Sequence, residues 1–215
     1  MITVYSYRWV PDFAKGLVRD LRVRWALEEA GLEYQEWLIG LGDDQNSPAY
    51  RACQPYGQVP VYEEGGLVLF ESGAIVLHIG GKSEALLPAD PAARARATCW
   101  LFSALNTIEP TIQELAAIDL FYTDEAWARG RRPQAEAQVK RRLAELAAAL
   151  GDKDHLEGEF TVGDLMMATV LRNLRHTDIV DGEPRLRAYL DRCEARPAFQ
   201  RALRDQLASF EDQAA

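Results

Sequence analysis

Across residues 57–80, GQVPVYEEGGLVLFESGAIVLHIG, the apolar positions first alternate and then change period. Val59 and Val61, then Leu67 and Leu69, lie two apart on either side of Glu63-Glu64-Gly65-Gly66. Period two around a glycine-bearing turn predicts a β-hairpin. Beyond Phe70 the spacing lengthens to Ile75, Val76 and Ile79, a helical pattern that Ser72 can cap and Gly80-Gly81 can stop. The hairpin therefore hands its second strand to a helix N-terminus, where free N–H groups and the macrodipole favour a carboxylate. A proline at position 60, entering a strand, points to an edge and to a cis bond that holds the Val59 backbone open.

Upstream, Ile2–Tyr5 is a short β-branched and aromatic run that predicts a first strand. From Pro11-Asp12 to Gly31 the chain reads as helical, with Val23, Ala26, Leu27 and Ala30 on one face, and Tyr34–Ile39 offers a second strand. The right-handed crossover rule makes those two strands parallel. Asp43–Pro55 is punctuated as a loop, and Gly81–Pro91 breaks the periodicity as a linker does. After Pro91 every apolar stripe is helical. One runs from Ala97 to Ile108, with Pro110 bending or ending it; others run over 112–120, 139–150, 186–193 and 199–210. Phe160-Thr161-Val162-Gly163-Asp164-Leu165 carries a capping box, Thr161 with Asp164, and staple positions at Phe160 and Leu165.

Composition narrows the function. A net charge of −9 argues against nucleic acid, and the basic clusters Arg129–Arg132 and Lys140–Arg142 sit in Ala- and Glu-rich helical sequence as solvated faces. Three separated cysteines and three separated histidines support neither a disulfide framework nor a metal site. No apolar run reaches the length of a membrane span, and MITVYSYRWV lacks the pattern of a signal peptide, so cytoplasmic residence is the expectation.

Val59-Pro60, followed eleven residues after the proline by Glu71-Ser72 opening a helix, resembles the cytosolic glutathione transferase superfamily. The Leu86-Leu87-Pro88…Asp90-Pro91 linker and the capping box are also similar to that family's. The resemblance implies an α/β N-terminal thioredoxin-like domain (βαβ-ββα) at 1–80, a linker at 81–89 and an all-α helical-bundle domain at 90–215. It implies glutathione as co-substrate, no metal, a small electrophilic substrate, no membrane partner and a homodimer. Its binding residues would be Gln58, Val59 and Pro60 beside the cysteinyl portion, and Glu71 and Ser72 at the γ-glutamyl end. Gln45 stands where relatives often carry a basic residue near the glycine carboxylate, with Arg51 as an alternative. The chemistry is thiolate generation, since a cysteine thiol is mostly protonated at neutral pH. Tyr7 and Ser6 are the candidate donors to sulfur, and Trp9 or Phe13 its shield. Alternatives are a non-catalytic glutathione- or ligand-binding protein, or a glutathione-dependent peroxidase or isomerase. One departure stands out: Arg8–Leu21 separates the first strand from the helix around Arg22–Leu27, and it reads as two or three added helical turns beginning near Asp12.

Overall fold

The computed structural model describes residues 1–210. By compactness the chain forms two units: Met1–Leu87 together with the segment from Arg196, and Pro88–Ala195.

The first unit is a four-stranded sheet with helices on both faces. β1 (Ile2–Tyr7) leads through a loop to α1 (Asp20–Ala30), and β2 (Tyr34–Ile39) follows. Two short helices, α2 (Asp43–Asn46) and α3 (Pro48–Cys53), precede the hairpin of β3 (Val61–Glu64) and β4 (Leu67–Phe70), and α4 (Ser72–Gly80) follows it. The strand order is β2-β1-β3-β4, with β1 and β2 parallel and the other neighbours antiparallel. Gly65 and Gly66 make the hairpin turn with φ of 56° and 89°, the positive pair that a two-residue turn of this twist demands.

The alternation of β1 decides which side chains face which layer. Ile2, Val4 and Ser6 are buried on the side of α1, whereas Tyr5 and Tyr7 turn to the opposite face, where Tyr50 and Cys53 of α3 pack with Ile39, Val59 and Val61. The last helix among the described residues, α10 (Pro197–Ala208), lies on α1. Arg196 and Arg201 pair with Glu29 and Glu28, and Gln206 donates to Asp20 Oδ1 at 2.8 Å.

Two local expectations are corrected here. Residues 8–19 do not extend α1. They form a loop with a single 3₁₀ turn at Asp12–Ala14, because Pro11 starts the turn and Gly16, at φ 76°, reverses the chain after it. The stretch 43–55 is not a plain loop either. Ser47 accepts from the Tyr50 N–H and Pro48 occupies the first turn, so the residues read as punctuation start α3.

The second unit is helical, as the apolar stripes predict. α5 (Pro91–Ser103) passes through a π-turn at Ala104–Ile108 into α6 (Glu109–Phe121), which carries Pro110 in its first turn where no N–H is missed. α7 (Ala126–Leu150) ends at Gly151, and α8 (Val162–Leu171) and α9 (Pro184–Glu194) complete the unit. The basic clusters on α7 are partnered: Arg131 with Glu114, Arg132 with Asp119 and Glu136, Lys140 with Glu136, and Arg142 with Glu145.

The capping box forms as predicted. The Thr161 hydroxyl accepts from the Gly163 N–H, and Asp164 Oδ2 accepts from the Thr161 N–H at 2.9 Å. Asp164 is 0 % exposed, and its Oδ1 also accepts from the Leu156 N–H at 2.8 Å and the Tyr189 hydroxyl at 3.1 Å. Among the described residues no helix is long and apolar enough to cross a membrane.

Candidate functional site

The register of the sheet brings the predicted residues to one end of it. Tyr5 pairs with Val61, and Val61 with Phe70. The pairings end there: Val59 lies two residues before Val61, and Ser72, two residues after Phe70, is already helical. Tyr7 packs against the cluster that contains Val59.

Val59-Pro60 is a cis peptide bond. The β3 ladder begins at Val61, so the backbone of buried Val59 lies before it. The Gln58 carbonyl accepts from the Tyr50 hydroxyl at 2.7 Å, which ties this segment to α3, while the Gln58 side chain is exposed. Gly57 turns the chain here at φ 63°, and a Cβ on it would lie 2.8 Å from both the Arg51 guanidinium carbon and the Gln45 carbonyl oxygen. Only glycine fits. Arg51 is occupied in holding this turn, donating to Pro55 O at 2.8 Å and Asn46 Oδ1 at 2.6 Å. Gln45 Oε1 is buried and has no hydrogen-bond partner among the described residues, so the Gln45 amide retains hydrogen-bonding capacity.

At the start of α4 the structure revises the expected cap. Glu71, not Ser72, is the N-cap residue, and no side-chain hydrogen bond caps the helix. Ser72 is the first helical residue, 5 % exposed, and its hydroxyl accepts from Arg22 Nη1 at 3.2 Å. Glu71 holds φ 71° and ψ 112°, and among the described residues no other non-glycine residue has a positive φ. Such a backbone costs of order 1–3 kcal/mol and persists where the surroundings impose it. Its carboxylate is exposed beside the helix N-terminus. Sequence reasoning found Glu71 by motif but had no signal for its backbone.

The two donor candidates on β1 separate by face. Ser6 is 1 % exposed and accepts from Arg24 Nη2 at 3.0 Å. Arg24 also donates to Asp20 at 2.7 Å, Glu36 at 2.5 Å and Ser209 at 3.2 Å, so Ser6 sits inside a buried polar network joining β1, α1, β2 and the end of α10. Burial pulls the Arg24 guanidinium down, but Asp20 and Glu36 outweigh it and hold its pKa above the ordinary value. Burial pushes the Asp20 carboxyl up, against Arg24, Gln206 and Ser6. Sequence reasoning missed this network, although the i, i+4 spacing of Asp20 and Arg24 carried half of it.

Tyr7 is half-buried on the other face. Burial first, and then the Asp20 charge, raise its pKa above that of a free phenol, so it remains a proton-bearing donor. Tyr5 is pushed up to about 12, by burial and by Glu63. Trp9 lies partly buried in the loop after β1 and Phe13 is exposed. Trp100 donates to Glu157 at 2.8 Å within the helical unit. Among the described residues no group of three or more His, Cys, Asp or Glu side chains is arranged to hold a metal.

A mixed sheet of this order followed by a helical unit is the architecture of the thioredoxin-like and all-helical pair expected above. The family model for the glutathione S-transferase N-terminal domain matches residues 14–81, and that for the C-terminal domain matches residues 92–192. The chain is 31 % identical over 200 residues to glutathione S-transferase 3 of Zea mays, covering 85 % of this chain and 87 % of that protein. Among solved structures it resembles a glutathione transferase from Burkholderia graminis with two glutathione molecules bound per subunit, at 26 % identity and TM-score 0.82, over 94 % and 87 % of the two chains. A theta class glutathione S-transferase from Xanthomonas axonopodis pv. citri with glutathione bound matches at 29 % identity and TM-score 0.76, over 94 % and 96 %. The chain belongs to the glutathione S-transferase family. The N-terminal family match begins at residue 14, after β1, so it covers Gln45, the Val59-Pro60 pair and Glu71-Ser72 but neither Ser6 nor Tyr7.

Proposed function

We propose that this protein is a glutathione transferase, binding glutathione at the end of the first unit's sheet and activating its thiol for attack on a small electrophile. The observation that carries the proposal is that β4 runs directly into α4 at Glu71-Ser72, beside β3, whose entry carries the Val59 backbone, while Tyr7 packs on the cluster that contains Val59. In this reading the Val59 backbone pairs with the cysteinyl residue, next to Gln58 and Pro60. Ser72 and the first-turn amides of α4 receive the γ-glutamyl carboxylate, and Glu71 receives the ammonium. The Gln45 amide faces the glycine end. Tyr7 donates to the sulfur, the thiol proton leaves to solvent, and the thiolate attacks the electrophile as its leaving group departs. Ser6 has no part in the proposal, because beneath the sheet its hydroxyl accepts from Arg24 and bonds the Asp20 carboxylate, which takes its proton. A cytoplasmic homodimer acting on a small electrophile completes the reading, as the family resemblance implies.

The direct experiment is titration calorimetry with glutathione, paired with conjugation of an aryl halide followed by absorbance. Wild type is expected to bind and turn over; absence of glutathione binding overturns the proposal. Ser72→Ala is expected to weaken binding by about 1–3 kcal/mol, the range for losing a buried hydrogen bond to a charged group. Equal affinities would remove Ser72 from the site.

Glu71→Gly separates folding from binding. Glycine relieves a backbone cost of order 1–3 kcal/mol but adds about 0.5–1 kcal/mol of unfolded-state entropy. Urea unfolding should therefore show stability unchanged or raised, while glutathione affinity falls with loss of the carboxylate. A destabilised Glu71→Gly protein would mean that the Glu71 side chain, not the ligand site, holds this backbone in place.

A further inference from the structure

Arg22 is the third residue of α1 and is 3 % exposed. Its Nη1 donates to Ser72 Oγ at 3.2 Å across the packed pair of α1 and α4. A guanidinium has donors only, so in this bond the serine hydroxyl must be the acceptor. A hydroxyl carries one proton, and accepting from Arg22 leaves that proton to be donated elsewhere. With Glu71 in the cap position, Ser72 spends no hydrogen bond on capping α4. The result is a serine whose donor is directed away from Arg22, at a nine-residue helix's N-terminus with a buried cation behind it.

Resting on the glutathione site described above, we propose that Arg22 is a positioning residue for the γ-glutamyl carboxylate, acting through Ser72. It fixes the hydroxyl as a donor toward the carboxylate. Arg22 does not touch the ligand in this arrangement. Its contribution is therefore to ground-state binding of one ligand group, with none to the thiol or the electrophile.

The test compares wild type, Arg22→Met, Arg22→Lys, Ser72→Ala and the double variant Arg22→Met/Ser72→Ala. Each is titrated with glutathione and with 4-aminobutyryl-cysteinylglycine, the analogue lacking only the γ-glutamyl α-carboxylate. Arg22→Met is expected to raise KM for glutathione about tenfold with kcat at saturation unchanged, the signature of lost uniform binding. It should leave affinity for the analogue unaltered, and the double variant should be no worse than Ser72→Ala. Arg22→Lys keeps the charge and should recover part of the loss; it also decides the matter if Arg22→Met does not fold. Equal losses for glutathione and the analogue, a fall in kcat, or losses that multiply in the double variant would overturn the proposal and leave Arg22 a packing residue. If wild type binds glutathione and the analogue equally, the reading of Ser72 as the carboxylate site fails instead. If wild type binds neither, the glutathione site itself fails.

Discussion

Replacing Asp164 by alanine is expected to cost about 3 kcal/mol of stability, more than an ordinary helix cap, because the carboxylate serves four donors at once. Its two oxygens accept from the backbone N–H groups of Leu156 and Thr161 and from the hydroxyls of Thr161 and Tyr189. The hydroxyls can turn to other partners. The two N–H groups cannot, and a buried unsatisfied donor costs roughly 1–3 kcal/mol. Part of the loss is offset, because burial pushes the Asp164 carboxyl up against the donors of Leu156 and Thr161, so removing the charge relieves desolvation. Asp164→Asn keeps the volume and one acceptor but turns an NH₂ toward two of the donors, so it should lose about half as much. The measurement is the urea midpoint at unchanged m-value, with hydrogen exchange at the Leu156 and Thr161 amides as the local readout. A loss below about 1 kcal/mol, with those amides still protected, would show that water replaces the carboxylate and that the box is not what fixes α8.

The Leu156 and Tyr189 donors to Asp164 were not legible in the sequence, whereas the box itself was, because Thr161, Gly163 and Asp164 are near neighbours and their chemistry is set by residue type. The same holds for the hairpin, where Gly65-Gly66 and the alternation about it determine turn and register together, and for Tyr34–Ile39, whose strand is observed as predicted. Legibility fails where a residue's role depends on what lies across the fold. Ser6 shows both sides of this. Period two from Ile2 and Val4 already places it on the buried face, away from Tyr5 and Tyr7. Nothing local, however, announces Arg24, Glu36 and Ser209 as its surroundings. The loop at 8–19 fails for a different reason. Val10, Ala14 and Leu17 suit a helical stripe with Leu21 of α1, but the turn that Pro11 starts and the reversal at Gly16, at positive φ, keep them out of that helix. The candidate positions the motifs single out lie on α2, before β3 and at the start of α4. The backbone of Glu71 and the cation behind Ser72 required the coordinates.

The face assignment of β1 leads to the prediction for thiol activation. Tyr7→Phe is expected to lower kcat/KM for conjugation roughly a hundredfold near neutral pH, the scale of losing one donor to a developing or fixed anion in a shielded site. A phenol held protonated by burial and by the Asp20 charge stabilises a thiolate by donation, not by taking its proton. Bound glutathione should therefore ionise below the ordinary thiol range in wild type, and its thiolate absorbance should titrate at higher pH in Tyr7→Phe. The rate deficit should be largest at low pH and shrink as pH rises, because alkaline solution ionises the thiol in both proteins. Affinity for glutathione should change little, since Val59, Glu71 and Ser72 are untouched. Ser6→Ala provides the contrast. It removes an acceptor from the Arg24 network, so it should lower the urea midpoint and leave the thiol titration where it was. The reverse pattern, a shifted titration in Ser6→Ala and none in Tyr7→Phe, would place the sulfur on the buried side of β1 and overturn the assignment. If neither variant moves the titration, the donor is a backbone amide or Tyr5, whose phenol is also held protonated, with a pKa of about 12.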